Sequence, residues 1–400
     1  MIEIKEAKKA YYEGTHRIRR PEDTLRWIEP KLSLAGITRV ANITGLDRIG
    51  IPIFSAIRPS AAEGAVSVYS GKGITETLAK ISAIMEGFER YSAEFRDEKI
   101  IKGTYSQLLR NYNVLDPESL ILPKDLPYSK NDSVIRWTWG FDLMSKEEIL
   151  VPVSAVYHPY YPKGDLHLFR TNTNGLAAGN SIEEAIFHGL MEVIERDAWS
   201  IAEFCRKGGR IIETDSELVN TLIEKFKAAS VDIILRDITS DIPITVIAAV
   251  SDDLLLKDPA LLTIGFGAHL DPEIAAIRAL LEVAQSRVVQ IQGAREDTVK
   301  AELMRKIGYD RMKRLNKHWF EEGDVAKLEK LPNLSSEYIK SDIEKTLSML
   351  KSRGFEKVIA VNLTRAELEV PTVRVIVPGL EVFGIDPARV GERIIEFRRR

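Results

Sequence analysis

The stretch Ala185-Ile186-Phe187-His188-Gly189-Leu190-Met191-Glu192-Val193-Ile194-Glu195-Arg196 decides how this chain is read, because its spacing occurs three times. An alanine is followed after six residues by a glutamate, and after two more by a glutamate or glutamine. The copies are Ala79…Glu86…Glu89, Ala185…Glu192…Glu195 and Ala275…Glu282…Gln285. On a helix, positions i and i+3 are surface neighbours roughly 5–6 Å apart between Cβ atoms, so each pair points one way. Three related helices therefore deliver five carboxylates.

Two such charges repel by about 3 kcal/mol at an effective dielectric near 20, and several pairs gathered in a cleft need a compensating cation. Magnesium suits the role, because it takes oxygen ligands and shares one or two carboxylates with the phosphates of a nucleotide. The flanks Ser82-Ala83-Ile84-Met85 and Phe187-His188-Gly189-Leu190-Met191 are too apolar for exposed turns, and Arg90 and Arg196 directly follow the second glutamate. Gly73 and Gly179 stand the same distance ahead of the first glutamate in their copies. A glycine followed by polar residues predicts a loop opening a helix, where free N–H groups and the dipole attract anions. Acid pairs and anion-binding loops together predict a metal–triphosphate site.

Composition narrows the alternatives. The chain has 400 residues, 44% of them hydrophobic, with a net charge of -3; it is globular, long enough for one large core or two ordinary ones, and no basic stripe interleaved with aromatics supports nucleic-acid binding. Cys205 is the sole cysteine, which excludes an internal disulfide and a multi-thiolate metal site, and it reads as a small apolar residue on a helix. The histidines lack His-Glu-x-x-His spacing. No apolar run spans a bilayer and the charged start is not a signal peptide, so the expected location is the cytoplasm, without a membrane partner. One cysteine and abundant Glu, Lys and Arg lean towards a thermophilic source.

Helices are predicted over Pro21–Leu34, Ile74–Phe95, Ile182–Lys207, Ser216–Ala229 and Pro272–Gln292. Strands are predicted at Arg39–Ile43, Ile51–Ile57, Ile135–Leu143, Glu148–Tyr157, Val231–Asp237, Ile244–Ser251, Leu261–Gly267, Lys357–Thr364 and Thr372–Val377. Without a Ser/Gly-rich linker, the chain reads as one integrated α+β unit over 1–400, its helices packed on largely antiparallel sheets, with 296–350 as a peripheral helical insertion. Gly71-Lys72-Gly73 lacks the earlier glycine and the Ser/Thr of a Walker A loop, and no Gly-x-Gly-x-x-Gly follows a strand, so the nucleotide fold is neither P-loop nor Rossmann.

Ser70-Gly71-Lys72-Gly73 with Glu86-Gly87-Phe88-Glu89-Arg90, and Asn174-Gly175-Leu176-Ala177-Ala178-Gly179-Asn180 with Glu192-Val193-Ile194-Glu195-Arg196, resemble the YcaO family. Phe266-Gly267-Ala268-His269, Gln285-Ser286-Arg287 and Arg374-Val375-Ile376-Val377-Pro378-Gly379 extend the resemblance over nearly the whole chain. It implies a YcaO-type fold and an enzyme that uses ATP and Mg2+ to phosphorylate a peptide-bond oxygen before a nucleophile attacks the activated carbon. By position, Glu86, Glu89, Glu192 and Glu195 resemble the magnesium ligands. Arg17, Thr24, Ser82, Asn180, Glu184, His188, Arg196 and Arg287 fall where the family contacts nucleotide, with changed residue types at Arg17, Thr24 and His188. Glu89, Arg196 and Arg287 are the expected catalytic set, while Glu282 with Gln285 has lost one charge and reads as a helper or structural copy.

The chain ends in Ile394-Ile395-Glu396-Phe397 and arginines rather than the proline-rich tail typical of azoline-forming members. It is similar instead to stand-alone archaeal members, and that resemblance implies thioamidation of a glycine in the alpha subunit of methyl-coenzyme M reductase, with a TfuA-type partner and a sulfide source. A homodimer is left open. The alternatives are an azoline-forming cyclodehydratase acting on Cys, Ser or Thr peptides, and a non-catalytic nucleotide-binding scaffold in a maturation complex.

Overall fold

The computed structural model describes residues 2–294 and 300–399. Each copy of the repeat is a strand, a short turn and a helix: Val68–Lys72 with Glu76–Ala93, Leu176–Ala178 with Ile182–Cys205, and Ile264–His269 with Pro272–Gln292. The helices start where the sequence supplies a side-chain acceptor for a free N–H. Thr75 accepts from the backbone of Leu78, Ser181 from Glu184 and Asp271 from Glu273. Counted from these caps the copies are in register, with Glu86, Glu192 and Glu282 all at the eleventh residue and Glu89, Glu195 and Gln285 at the fourteenth.

Glycines within the repeat strands let strand and helix approach closely. Gly71 lies inside its strand, and a Cβ there would stand 2.0 Å from the backbone nitrogen of Ala83; at Gly267 it would stand 2.2 Å from the carbonyl oxygen of Ala275. Strand and helix backbones touch, which only glycine allows. Gly73 and Gly179, the glycines expected to open anion-binding loops, lie in the turns ahead of their helices, where a Cβ would stand 2.5 Å from the backbone nitrogen of Ala79 and 2.7 Å from the Cβ of Glu184.

Each repeat strand forms one edge of a different sheet. Val68–Lys72 closes a three-stranded antiparallel sheet with Arg39–Asn42 and Ile53–Ile57. Leu176–Ala178 ends a six-stranded sheet, pairing antiparallel with Thr372–Ile376, which continues through Ile359–Asn362 to Ile135–Asp142; Ile101–Gly103 and Glu147–Pro152 complete it. Ile264–His269 ends a five-stranded sheet running through Thr245–Asp253, Val231–Asp237 and Arg210–Glu213 to Val325–Lys327, antiparallel except for the last pair. Every repeat helix packs on its own strand and also on the strand of the next copy: the first on Leu176–Ala178, the second on Ile264–His269, the third on Val68–Lys72. The three units thus close a ring, with the acidic positions of each helix facing its neighbour.

The largest core cluster surrounds the second repeat helix, where Leu190 and Ile194 meet Val373, Val375, Phe266 and Ile343. The architecture is mixed α+β with largely antiparallel sheets, as expected. Two boundaries shift for local reasons. The helix expected to reach Leu34 stops at Ile28 and continues as a tighter 3-10 turn over Glu29–Ala35, because Pro30 lacks the N–H an α-helix would use. The segment 296–350, expected as a peripheral insertion, begins in residues outside those described, and the remainder is woven into the body. Trp319 and Ile343 are fully buried, Val325–Lys327 pairs with Arg210–Glu213, and the helix Ile339–Ser352 packs on the second repeat helix. Among the described residues no helix is long and apolar enough to cross a membrane.

Candidate functional site

The ring brings Glu86, Glu89, Glu192 and Glu195 together. Burial pushes the Glu89 carboxyl well above its usual range; Arg90 opposes this, while the charges of Glu192 and Glu86 add to it. Glu195 is likewise raised by burial, against Arg196 and with Glu282 and Glu192. Arg90 donates to Glu86 at 3.1 Å and stands 3.8 Å from Glu89, and Arg196 lies 3.6 Å from Glu195. The backbone N–H groups of Ser70 and Ala268 donate to Glu86 and Glu195 at 3.3 and 3.2 Å. Among the described residues no three His, Cys, Asp or Glu side chains are arranged to hold a metal ion as they stand, since the glutamates lean on their own arginines. The donor set still fits a hard divalent cation: it is all oxygen, comes from two adjacent helices, and carries mutually repelling buried charge that such an ion would relieve.

The third copy is used differently. The amide of Gln285 donates to the carbonyl of Ser70 on the first repeat strand, and Glu282 forms an ion pair with Lys72 of that strand at 3.0 Å. Lys72, Arg196 and Arg278 outweigh burial and hold the Glu282 carboxyl below its usual range. A donor is required at 285, so the missing charge reflects closure of the ring. Gln285→Glu should therefore place a carboxylate against a carbonyl and lower stability by about 3 kcal/mol, readable as a fall in urea midpoint at unchanged slope.

A cleft opens beside the carboxylates, lined by Arg17, Glu184, His188, Met191, His269 and Arg278 among others. Its floor is a hydrogen-bonded chain. Thr24 donates to Asn180 at 2.8 Å, Asn180 donates to Glu184 from its backbone and side-chain nitrogens at 2.8 and 2.9 Å, and the backbone of Ile18 donates to Glu184 at 2.6 Å. Burial and the charges of Arg278, Arg17 and Lys72 hold His188 well below its usual pKa, so it is neutral. Arg278 Nη1 lies 3.1 Å from His188 Nδ1, which makes Nδ1 the acceptor and leaves Nε2–H as a donor. Among the described residues neither Arg17 nor Arg278 has a carboxylate within ion-pair distance, and Arg278 Nε is buried without a partner. Arg17 donates Nη1 to the carbonyl of His16 at 2.7 Å, and two guanidinium groups without a carboxylate partner in one cleft are matched to phosphate oxygens.

Of the expected nucleotide contacts, the structure gathers Arg17, Thr24, Asn180, Glu184 and His188 at this cleft, and places Arg196 among the carboxylates. Ser82 lies on the first helix, one turn before Glu86. Arg287 is set apart, fully buried, with Nε donating to Asp47 at 2.8 Å and Nη2 donating to Asp253 at 2.9 Å. Its guanidinium ties the third helix to the Thr245–Asp253 strand. The sequence reading missed Arg278, although a signal existed: it occupies the position, one turn before the first acidic residue, that Ser82 and His188 hold in the other copies.

The family described as YcaO cyclodehydratase, ATP- and Mg2+-binding, matches residues 70–381. The chain belongs to the YcaO family. A protein of Methanothermobacter thermautotrophicus is 55% identical over 381 residues, covering 94% of this chain and 97% of that one. A protein encoded in a tfuA 3′ region of Rhizobium leguminosarum bv. trifolii is 31% identical, covering 90% and 88%. The structure of YcaO from Methanopyrus kandleri bound with AMPPCP and Mg2+ superposes with a TM-score of 0.82 at 32% identity, covering 96% of this chain and 98% of that one. YcaO membership brings ATP and Mg2+ as cofactors and ATP-dependent peptide modification as the class of activity.

Proposed function

We propose that this YcaO protein activates a backbone amide of a protein substrate by ATP-dependent O-phosphorylation, and that sulfur then displaces the phosphate to give a thioamide. The proposed substrate is a glycine of the methyl-coenzyme M reductase alpha subunit, modified in the cytoplasm with a TfuA-type partner. The observation that carries the activity is the junction of four repelling glutamates with a cleft holding two guanidinium groups that have no carboxylate partner. Similarity to archaeal proteins favours the reductase glycine, and the tfuA-region relative favours the partner.

Glu86, Glu89, Glu192 and Glu195 would hold Mg2+. The ion, when bound, neutralises charge on the phosphates being transferred. Arg17, Arg278 and the Nε2–H of His188 orient the phosphates, and the Thr24–Asn180–Glu184 chain fixes the wall against which the nucleotide rests. Arg90 and Arg196 offset part of the cost of ionising Glu89 and Glu195. Phosphoryl transfer needs this positioning more than covalent help from the protein.

Mass spectrometry of a glycine-containing reductase peptide, incubated with the protein, ATP, Mg2+ and sulfide, with and without a TfuA-type partner, tests the proposal. The expected result is an ATP-dependent exchange of oxygen for sulfur at glycine. Water loss at Cys, Ser or Thr would replace it with azoline formation, and no change in any mixture would remove the catalytic reading.

A further inference from the structure

A second cavity is lined by Phe169, Asn172, Asn174, Arg374, Leu380 and Arg389 among others. The second repeat helix stands between it and the nucleotide cleft: Glu184, His188 and Met191 line the cleft, whereas Val193 lines this cavity. Those positions lie on opposite faces of the helix, and Glu192 and Glu195 belong to the segment that separates them.

Arg374 and Arg389 are each 5% exposed, and among the described residues neither has a carboxylate within ion-pair distance. Arg374 gives Nη1 and Nη2 to the backbone and side-chain oxygens of Asn172 at 2.8 and 3.2 Å, and its Nε is buried without a partner. Arg389 gives Nε to the carbonyl of Ile121 at 2.8 Å and Nη2 to that of Leu120, and lies 3.9 Å above the Phe169 ring. Burial lowers both guanidinium pKa values to about 10. Two buried cations in one cavity are costly unless an anion accompanies them. Arg374 also feels the charges of Glu192 and Glu89, so the cavity adjoins the reaction centre on the side away from the nucleotide.

We infer that this cavity binds the anionic nucleophile, hydrosulfide, between Arg374 and Arg389. The assignment rests on the thioamidation reading above. Four of the ten guanidinium N–H groups are spent on protein acceptors, and beside Asn172 and Asn174, whose Oδ1 is buried without a partner, the wall is apolar, with Phe169, Val375, Val377 and Leu380. That apolar wall suits a soft monoanion, satisfied by one or two N–H donors and polarisable contacts, better than a phosphate dianion, which needs donors around all its oxygens. From this position the hydrosulfide sulfur forms the bond to the phosphorylated amide carbon. The carbon–oxygen bond to phosphate breaks with its electron pair leaving on phosphate, and the S–H proton ends on that phosphate.

Crystals of the full chain soaked in sodium bromide test the site without any product being formed. Anomalous scattering should place bromide between Arg374 and Arg389, and sodium hydrosulfide should displace it at lower concentration than phosphate does. Absence of bromide, or displacement by phosphate but not by hydrosulfide, would overturn the inference. In turnover, Arg389→Met and the gentler Arg389→Gln should raise the KM for sulfide about tenfold with the KM for peptide unchanged; an unchanged sulfide KM in a folded variant also overturns it. Displaceable bromide in a protein that makes no thioamide would keep the anion site and refute its assignment to the nucleophile, so the two readings fail separately.

Discussion

Glu89→Gln should reduce peptide-dependent phosphate release at least about a hundredfold while leaving the protein without Mg2+ as stable as, or more stable than, the wild type. The two halves share one cause. Glu89 is buried beside Glu86 and Glu192, and its carboxyl is pushed well above the ordinary range, so its ionised form is tolerated only at a cost. A neutral amide of the same shape removes that cost, as happens when strain held for function is relieved. It also removes an oxygen charge from the set that would hold the metal, and an effect of about 3 kcal/mol on transition-state charge corresponds to about a hundredfold in rate. Thermal melting separates the contributions: ATP with Mg2+ should raise the wild-type Tm by linkage and leave that of Glu89→Gln nearly unmoved. Full turnover in the variant would remove Glu89 from the metal set. A variant that melts lower than wild type without Mg2+ would show the carboxylate to be structural.

The parts of this architecture that the sequence displays are those governed by local chemistry. The third repeat helix starts at Pro272 and ends at Gln292 as expected, between the Asp271 cap and Gly293, and the strand Val231–Asp237 coincides with its apolar run. What stayed hidden depends on pairings across long separations. Nothing local to Gln285 indicates that its amide meets Ser70, more than two hundred residues earlier. Only the ring explains why one copy lacks its second carboxylate. The glycines were visible but ambiguous, since a glycine before a helix serves a phosphate loop or a close backbone approach equally well, and the neighbouring helix decides. Arg278 went unread because its helix was judged by its missing charge and not by its register with the other two.

Arg287 poses the same ambiguity, and its substitution should have the largest effect on stability. Arg287→Met is expected to cost about 3–5 kcal/mol, because it leaves Asp47 and Asp253 buried without the cation that joins them. Both carboxylates are nearly inaccessible, and the guanidinium is fully so. Urea unfolding of the single variant and of Arg287→Met combined with Asp47→Asn measures the coupling: the second change should recover part of the loss, since it removes an orphaned charge. The pH dependence follows from Asp253. Burial raises its carboxyl, but hydrogen bonds from Arg48, the backbone of Leu256 and Arg287 more than offset this and leave it below the usual range. A depressed folded pKa contributes stability that is present above the unfolded value, about 3.9, and is lost as pH falls through the folded one. The wild type should therefore lose stability on acidification below about pH 4 more steeply than Arg287→Met does. If Arg287 instead contacts nucleotide, the variant will bind ATP weakly and unfold at the wild-type urea concentration, because an arginine that reaches a phosphate cannot also hold this buried junction.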